Sequence, residues 1–332
     1  MSFSFSVVIP VYNRPEELLE LLDSIAAQTR SPEEIVIVED GSTVKSKEVV
    51  DSFEGRLTIK YIYQENTGQG FARNTGYKNA TGDYFFVFDS DCVLPPTYFE
   101  IVEEFLKRNP LDAFGGPDAS HPDFTVVQKA ISHTMTSFFT TGGMRGGKRR
   151  VGSYHPRSFN MAISREVFEK TQGYIIPFMG EDLELSTRII KEGFSTGLIQ
   201  DAFVYHKRRT NLRQFAKQLF YFGRARINLS RFHGDQVKLI HLFPVVFSAG
   251  LICAMILSLF SPALGLLAVS MYSLYFLAIL LEGVLKFKSL MVGFYSLPAT
   301  ILQMFGYGLG LVYEGFRKWR GIDPNTPYID LY

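Results

Sequence analysis

The sequence predicts an α/β protein whose sheet is parallel and covered on both faces, followed by a helical region suited to a membrane. Three observations carry this. Near-continuous apolar, β-rich runs alternate with helical stretches through the N-terminal part. Polar residues gather at the carboxyl ends of those runs. From residue 240 to 315 the chain then becomes almost uncharged.

The runs SVVIPVYN (6–13), EIVIVEDGS (34–42), LTIKYIYQE (57–65) and DYFFVFDSD (83–91) read as strands, with helices at 15–29, where Pro15 suits a first turn, and at 68–80. Strands apolar on both faces and separated by helices imply a parallel sheet between two helical layers. Such sheets bind ligands outside the carboxyl ends of their strands. Asn13 and Arg14, Glu39 and Asp40, Glu65 and Asn66, and Asp89 and Asp91 all collect there. Loop decoration explains one such cluster; four favour a site.

Further along, the basic glycine-rich run TTGGMRGGKRR (140–150) reads equally as a solvated loop and as a lid. Residues 158–168 read as a strand entering a helix. Residues 180–193 read as a helix with acids first, bases last and a terminal glycine, and 197–209 begins as another strand.

A chain of 332 residues suits two parts. A formal charge of +1 and a pI near 7.7 argue against a nucleic-acid partner, since nothing attracts phosphate backbones in bulk. Cys92 and Cys253 fall in dissimilar regions, which fits a reducing compartment. The first residues carry no basic leader, so no signal peptide is expected.

Residues 212–232 interleave Phe215, Leu219, Phe222 and Ile227 with Arg213, Lys217, Arg224, Arg226 and Arg231, the pattern of a basic helix at a membrane surface. Segments 240–260 and 263–281 are each long enough to cross a bilayer of about 30 Å. Segment 290–312 is apolar but holds Pro298 and several glycines. Basic residues before 240, with Lys286 and Lys288, place those ends in the cytoplasm. A straight third span would put Arg317, Lys318 and Arg320 outside, against the positive-inside rule. A re-entrant or interfacial hairpin hinged near Pro298 would avoid this, with Trp319 as an interfacial anchor.

Asp89 and Asp91 are two apart, so in an extended segment both point one way and Ser90 the other. Two hard oxygen ligands at a sheet edge suit Mg²⁺ or Mn²⁺, completed by phosphate oxygens. The plainer reading is a turn capping the helix after Pro96. Glu181 and Asp182 open a helix, where the macrodipole favours acids and keeps a general base ionised. GQGFARNTG (68–76) looks like a dinucleotide fingerprint, but it follows the third strand and has Arg73 for the last glycine. His206 ends a strand and becomes a metal ligand only if Asp91 lies beside it.

Taken together, VVIPVYNRPEELLELLDSI, VIVEDGS, NTGQGFARNTGYKNATGDYFFVFDSD and GEDLELSTRI strongly resemble the family-two glycosyltransferases, from about residue 6 to 206. The resemblance implies the inverting mechanism and the GT-A fold, a Rossmann-like mixed sheet, here followed by a C-terminal α-helical membrane region. It implies a divalent metal, Mg²⁺ or Mn²⁺, and a nucleotide-sugar donor, usually a UDP- or GDP-sugar. By residue it implies Pro10, Tyr12, Arg14, Asp40, Arg73, Asp89 and Ser90 for the nucleotide sugar, and Asp91, Asp89 and His206 for the metal. Asp182 would be the catalytic base and Glu181 its neighbour in the acceptor pocket. VEDGS stands where VDDGS is commoner, which leaves Glu39 without an implied role.

Processive polysaccharide synthases of this family carry Q-x-x-R-W. Here Gly315 and Lys318 precede Trp319 at those positions, so transfer of one sugar is expected. A basic interfacial helix suits a lipid-linked saccharide acceptor in cell-envelope polysaccharide synthesis, with Arg213, Lys217, Arg224 or Arg226 on its phosphates. The alternatives are a polyprenyl-monophosphate glycosyl synthase and a membrane-tethered nucleotide-sugar-binding pseudoenzyme. The expected organisation is a GT-A domain at 1–209, an amphipathic interfacial helix at 210–238, transmembrane helices at 239–316 and a basic tail at 317–332. The expected location is the cytoplasmic (inner) membrane, multi-pass, with the catalytic domain facing the cytoplasm.

Overall fold

The computed structural model describes residues 3–119, 124–142, 154–207, 209–234 and 236–322. The greater parts of the basic run 140–150 and of the tail 317–332 lie outside them. In chain order the elements are β1 (Phe5–Val11), α1 (Pro15–Ala26), β2 (Glu34–Asp40), α2 (Lys47–Asp51), β3 (Ile59–Gln64), α3 (Gln69–Lys78), β4 (Tyr84–Phe88), β5 (Cys92–Val93), α4 (Tyr98–Arg108), β6 (Ala113–Gly115) and β7 (Asp118–Ala119). There follow α5 (Val126–Thr136), α6 (Phe138–Thr141), β8 (Asn160–Ser164), α7 (Arg165–Thr171), α8 (Glu181–Lys191), β9 (Thr196–Leu198), β10 (Val204–His206) and α9 (Leu212–Leu229). A 3₁₀ turn (Leu239–Leu242) then leads into α10 (Phe243–Phe260), α11 (Pro262–Phe287) and α12 (Leu290–Trp319).

Two compact units result. One is Met1–His121 with Val151–Lys207; the other is Pro122–Arg150 with Arg208–Tyr332. Residues 124–142, which the sequence assigns to the first domain, pack with the C-terminal helices.

The first unit is a GT-A-like mixed α/β fold. Its main sheet has the order β3-β2-β1-β4-β8-β6-β9. β1 pairs in parallel with β2 and with β4, and β2 in parallel with β3, as the doubly covered runs imply. β8 is antiparallel to both β4 and β6, which makes the sheet mixed. A second sheet, β5-β10-β7, stands beyond the end of β4. Strand order reverses between β1 and β4, and a ligand crevice belongs at such a switch point. Below it, Phe86, Phe88, Tyr98 and Phe99 form a dry aromatic core with edge-to-face contacts such as Phe86–Phe99, 5.3 Å between centroids at 81°. Each such ring contributes about 1.5–3 kcal/mol by leaving water, so the strand ends above rest on a rigid base.

The second unit is helical. α10 and α11 form a hairpin in which Phe247 meets Tyr272 and Tyr275 and Gly265 meets Ser258. Among the described residues two helices are long and apolar enough to span a membrane, Leu239–Phe260 and Pro262–Phe287. α9 packs on α12 with backbones almost touching. A Cβ on Gly310 would lie 1.9 Å from the Phe220 carbonyl, and one on Gly223 would lie 2.1 Å from that of Tyr307. Only glycine fits at either position. Beside this seam the buried Glu314 accepts from Arg224 Nε and Nη2 (3.0 and 2.9 Å) and from Arg231 Nη2 (2.9 Å), with Arg317 Nε at 3.5 Å.

A hairpin hinged at Pro298 does not form: α12 runs unbroken through it. Proline removes one N–H bond from the helix. Residues on both sides of it, Val292, Ser296, Ala299 and Met304, are buried, and Ala299 packs with Ile131 of α5 and Phe215 of α9. Packing along the whole length outweighs one missing bond.

Candidate active site

The loops at the strand ends are tied to one another before any ligand is considered. Past β1, Asn13 adopts φ +54°, a left-handed conformation that asparagine tolerates. Its N–H donates to Ser42 Oγ (2.8 Å), and its Oδ1 accepts from the Val44 N–H (2.9 Å). The buried Glu39 carboxylate accepts from the Ser42 hydroxyl, from the Ser46 N–H at 2.7 Å and from the Tyr61 hydroxyl at 3.1 Å. Glu39 therefore organises the loop after β2. Asp40 accepts from Gln64 Nε2 (2.8 Å) and from the N–H groups of Thr67 and Gly68 (2.9 Å each). Gly68, at φ +97°, permits that last bond. Pro10 and Tyr12 are half-buried at the end of β1.

At the end of β4 the chain turns at once: the Cys92 N–H donates to the Asp89 carbonyl (3.0 Å). The two aspartates therefore do not point one way, as an extended segment would require. Asp89 accepts from Arg73 Nη2 (2.8 Å) and stays partly open. Asp91 is buried, 2.8 Å from Arg14 Nη1 and 3.1 Å from His206 Nε2. Ser90 is buried between them, and α4, whose N-cap is Thr97, takes no cap from either aspartate. His206 reaches Asp91 because β10 pairs antiparallel with β5, setting His206 opposite Cys92. Phe159 stacks on its ring at 5.1 Å.

Asp91, Cys92 and His206 bring one ligand atom each within 4.8 Å of one another. Burial, with the charges of Asp91 and Asp89, pushes the Cys92 thiol well up, and it donates to the Phe159 carbonyl at 3.4 Å. Asp91 and His206 offer a carboxylate and an imidazole, with the Cys92 sulfur beside them, a donor set that fits a divalent cation. Asp89 is turned toward Arg73 and is not in this set.

At the start of α8 stand Glu181 and Asp182, both buried. The fully buried Arg73 joins the two ends of the site, with Nη1 3.0 Å from Glu181 and Nη2 2.8 Å from Asp89. Gln69 also donates to Glu181. Burial raises the Glu181 carboxyl above the usual range, Arg73 pulling against it and Asp182 adding to it. Burial would raise Asp182 as well. Arg157, whose Nε lies 2.6 Å from it, outweighs that and holds Asp182 below the usual range. Adjacent carboxyls are thus driven apart, the arrangement that divides acid and base roles. Arg157 was not singled out in the sequence. It lies in no motif, in the turn before β8 where it bridges to Asn160, and only the fold brings it to Asp182.

The model of the family described as glycosyl transferase family 2 matches residues 6–183. An uncharacterized glycosyltransferase of Nostoc sp. is 32% identical over 174 residues, 50% of this chain and 52% of that protein. The validoxylamine A glucosyltransferase of Streptomyces hygroscopicus is 42% identical over 101 residues, 29% of this chain and 22% of that one. The chain spans about half, or less, of the length of the curated relatives it matches. Among solved structures, a mannosyltransferase of Pyrobaculum calidifontis, in complex with GDP-Man and Mn²⁺, shares the fold with a TM-score of 0.63 at 17% identity, over 92% of this chain and 88% of that one. The match to the family model covers more than half of the chain, from the first strand to the paired carboxylates of α8. This chain belongs to glycosyl transferase family 2.

Proposed function

We propose that the protein is an inverting glycosyltransferase that moves one sugar from a nucleotide-diphosphate sugar to a hydroxyl of a lipid-linked saccharide. The observation that carries this reading is the Arg73 bridge, which holds Asp89 of the D-x-D turn and Glu181 of the α8 start on one buried guanidinium. A donor end and an acceptor end are thereby parts of one site. The mannosyltransferase with GDP-Man and Mn²⁺ supports a nucleotide-sugar donor and a divalent ion, with UDP- and GDP-sugars both open.

In this mechanism the acceptor oxygen attacks the anomeric carbon from the face opposite the diphosphate. The carbon–oxygen bond to the diphosphate breaks, the configuration inverts and Asp182 takes the acceptor proton. Arg157 keeps Asp182 ionised and oriented until the acceptor hydroxyl replaces it. Glu181, held by Arg73 and Gln69, positions the acceptor. Asp91 and His206 would hold the divalent cation, which when bound offsets charge on the leaving diphosphate. Pro10, Tyr12, Arg14 and Ser90 line the nucleotide side. Asp40 acts there through the 64–68 loop that it braces, and Asp89 faces the sugar or ribose.

Two apolar helices, α10 and α11, support attachment to the cytoplasmic membrane with the first unit in the cytoplasm. A lipid-linked acceptor follows from that attachment, and cell-envelope polysaccharide is the pathway class it suits. The domain reading that goes with this is a GT-A unit, a basic helix α9 whose apolar face is covered by α12, and a membrane region.

The test is to incubate the purified protein with Mn²⁺ and a panel of nucleotide sugars, with and without polyprenyl-phosphate and polyprenyl-diphosphate-saccharide acceptors. The expected result is metal-dependent release of nucleoside diphosphate from one donor, with label in a diphosphate-linked oligosaccharide. Label in a monophosphate-linked monosaccharide would replace the acceptor assignment. No turnover of any donor would sink the enzyme reading.

A further inference from the structure

We infer that α12 does not cross the bilayer but lies along its surface layer, one face set into lipid and the other covered by α5 and α9. This rests on the reading that α10 and α11 enter a membrane.

The first observation is how α12 divides its side chains. Met291, Phe294, Ile301, Leu309, Val312 and Phe316 recur at helical spacing and are all exposed. The opposite face carries Ser296, Thr300, Gln303 and Glu314, all buried. An exposed apolar face backed by a covered polar one is the division that a helix lying at an interface requires.

The second observation is direction. In the hairpin Phe247 meets Tyr272 and Tyr275 and Gly265 meets Ser258, so Pro244 is level with about residue 278 of α11. α12 meets α11 at Gly293, against the Leu280 carbonyl and Val284, and meets α10 at Gly308, against the Pro244 carbonyl. Those contacts are about 6 Å apart along the hairpin, yet the α12 segment joining them is about 22 Å long at 1.5 Å per residue. A third span would descend beside the hairpin. α12 instead runs across its open end.

Charge agrees with this placement. Lys286 and Lys288 precede α12, and Arg317, Lys318 and Arg320 end it. Lys318 Nζ donates to the Ser230 carbonyl (3.0 Å), in the segment just before α10. Both ends of α12 therefore lie on the side from which α10 starts, and the conflict with the positive-inside rule disappears. Tyr295, Tyr313 and Trp319, on or beside the exposed face, are the residues that settle at headgroup level. α10 and α11, which α12 contacts, are also apolar and exposed on their outer surfaces, which makes lipid the occupant of the stripe.

Trp319 is the only tryptophan, so depth can be read directly. In a Trp319→Phe background of the full chain, Tyr295→Trp, Ile301→Trp and Leu309→Trp each place one indole at an exposed position. Each variant is reconstituted in phosphatidylcholine vesicles brominated at shallow or at deep acyl carbons. All three should be quenched more by the shallow label, to within about twofold of one another. Several-fold stronger quenching of Ile301→Trp by the deep label would overturn the inference in favour of a crossing helix. Absence of quenching in vesicles that keep the protein through an alkaline carbonate wash would also overturn it, because the stripe would then face a second copy or another protein. Loss of the protein in that wash is a separate failure, of the membrane reading itself.

Discussion

The two units place charge inside the protein in opposite proportions. In the first, Asp89, Asp91, Glu181 and Asp182 share the guanidiniums of Arg14, Arg73 and Arg157, with His206 beside Asp91. In the second, the single carboxylate of Glu314 is shared by Arg224, Arg231 and Arg317. Carboxylates in excess leave room for a cation and a proton, the reagents a transferase must manage. Guanidiniums in excess, next to the carboxyl ends of α9 and α12, are favoured by the helix dipoles and fasten two helices together. The same ion-pair chemistry thus makes a candidate active site in one unit and a joint in the other.

Four substitutions break or sharpen that contrast. Asp182→Asn removes the proposed base and should lower transfer about 10²–10⁴-fold, the range of general-base catalysis, with an unchanged circular dichroism spectrum. Near-normal transfer would remove Asp182 from its role. Glu314→Gln leaves three guanidiniums without their carboxylate, and thermal unfolding in detergent should show a loss of about 3–5 kcal/mol. Donor turnover at a temperature where the variant is folded should persist, since Glu314 belongs to the joint.

His206→Ala should raise the Mn²⁺ concentration needed for half-maximal activity about 10–100-fold, measured by metal titration after chelation. An unchanged titration would remove His206 from the metal site. The smallest effect is expected for Arg157→Gln. Asp182 works ionised, so activity falls as pH drops through its pKa. Without Arg157 the burial of Asp182 prevails and its pKa rises. The acid limb of kcat/KM should move to higher pH, read from pH–rate profiles of the variant and the parent.

Much of the first unit was legible because its physics is local. Apolar runs gave β1 to β4, Pro15 opened α1, and acids followed by bases marked α8. The D-x-D stretch was legible as a turn, but not the parting of its two carboxylates. Alternation predicts both aspartates on one face, whereas the bond from Cys92 to the Asp89 carbonyl sends one to Arg73 and the other to His206. Arg157 was hidden for a different reason, being 25 positions from Asp182 in a segment without periodicity. In the second unit the apolar count of α12 leaves a span and an interfacial segment both open. Its buried face announces itself only through Ser296, Thr300, Gln303 and Glu314, which are sparse among glycines and aromatics.

The joint between α9 and α12 also sets an order of events. Arg224 is made 90 residues before Glu314, with α10 and α11 between them. At 5–20 residues per second the ribosome needs about 5–18 s to supply the partner. Throughout that interval the glycine seam of α9 has nothing to close against. The second unit can therefore finish only after the hairpin has been delivered, and a nascent chain stalled short of Glu314 would present α9 as an unpaired basic helix.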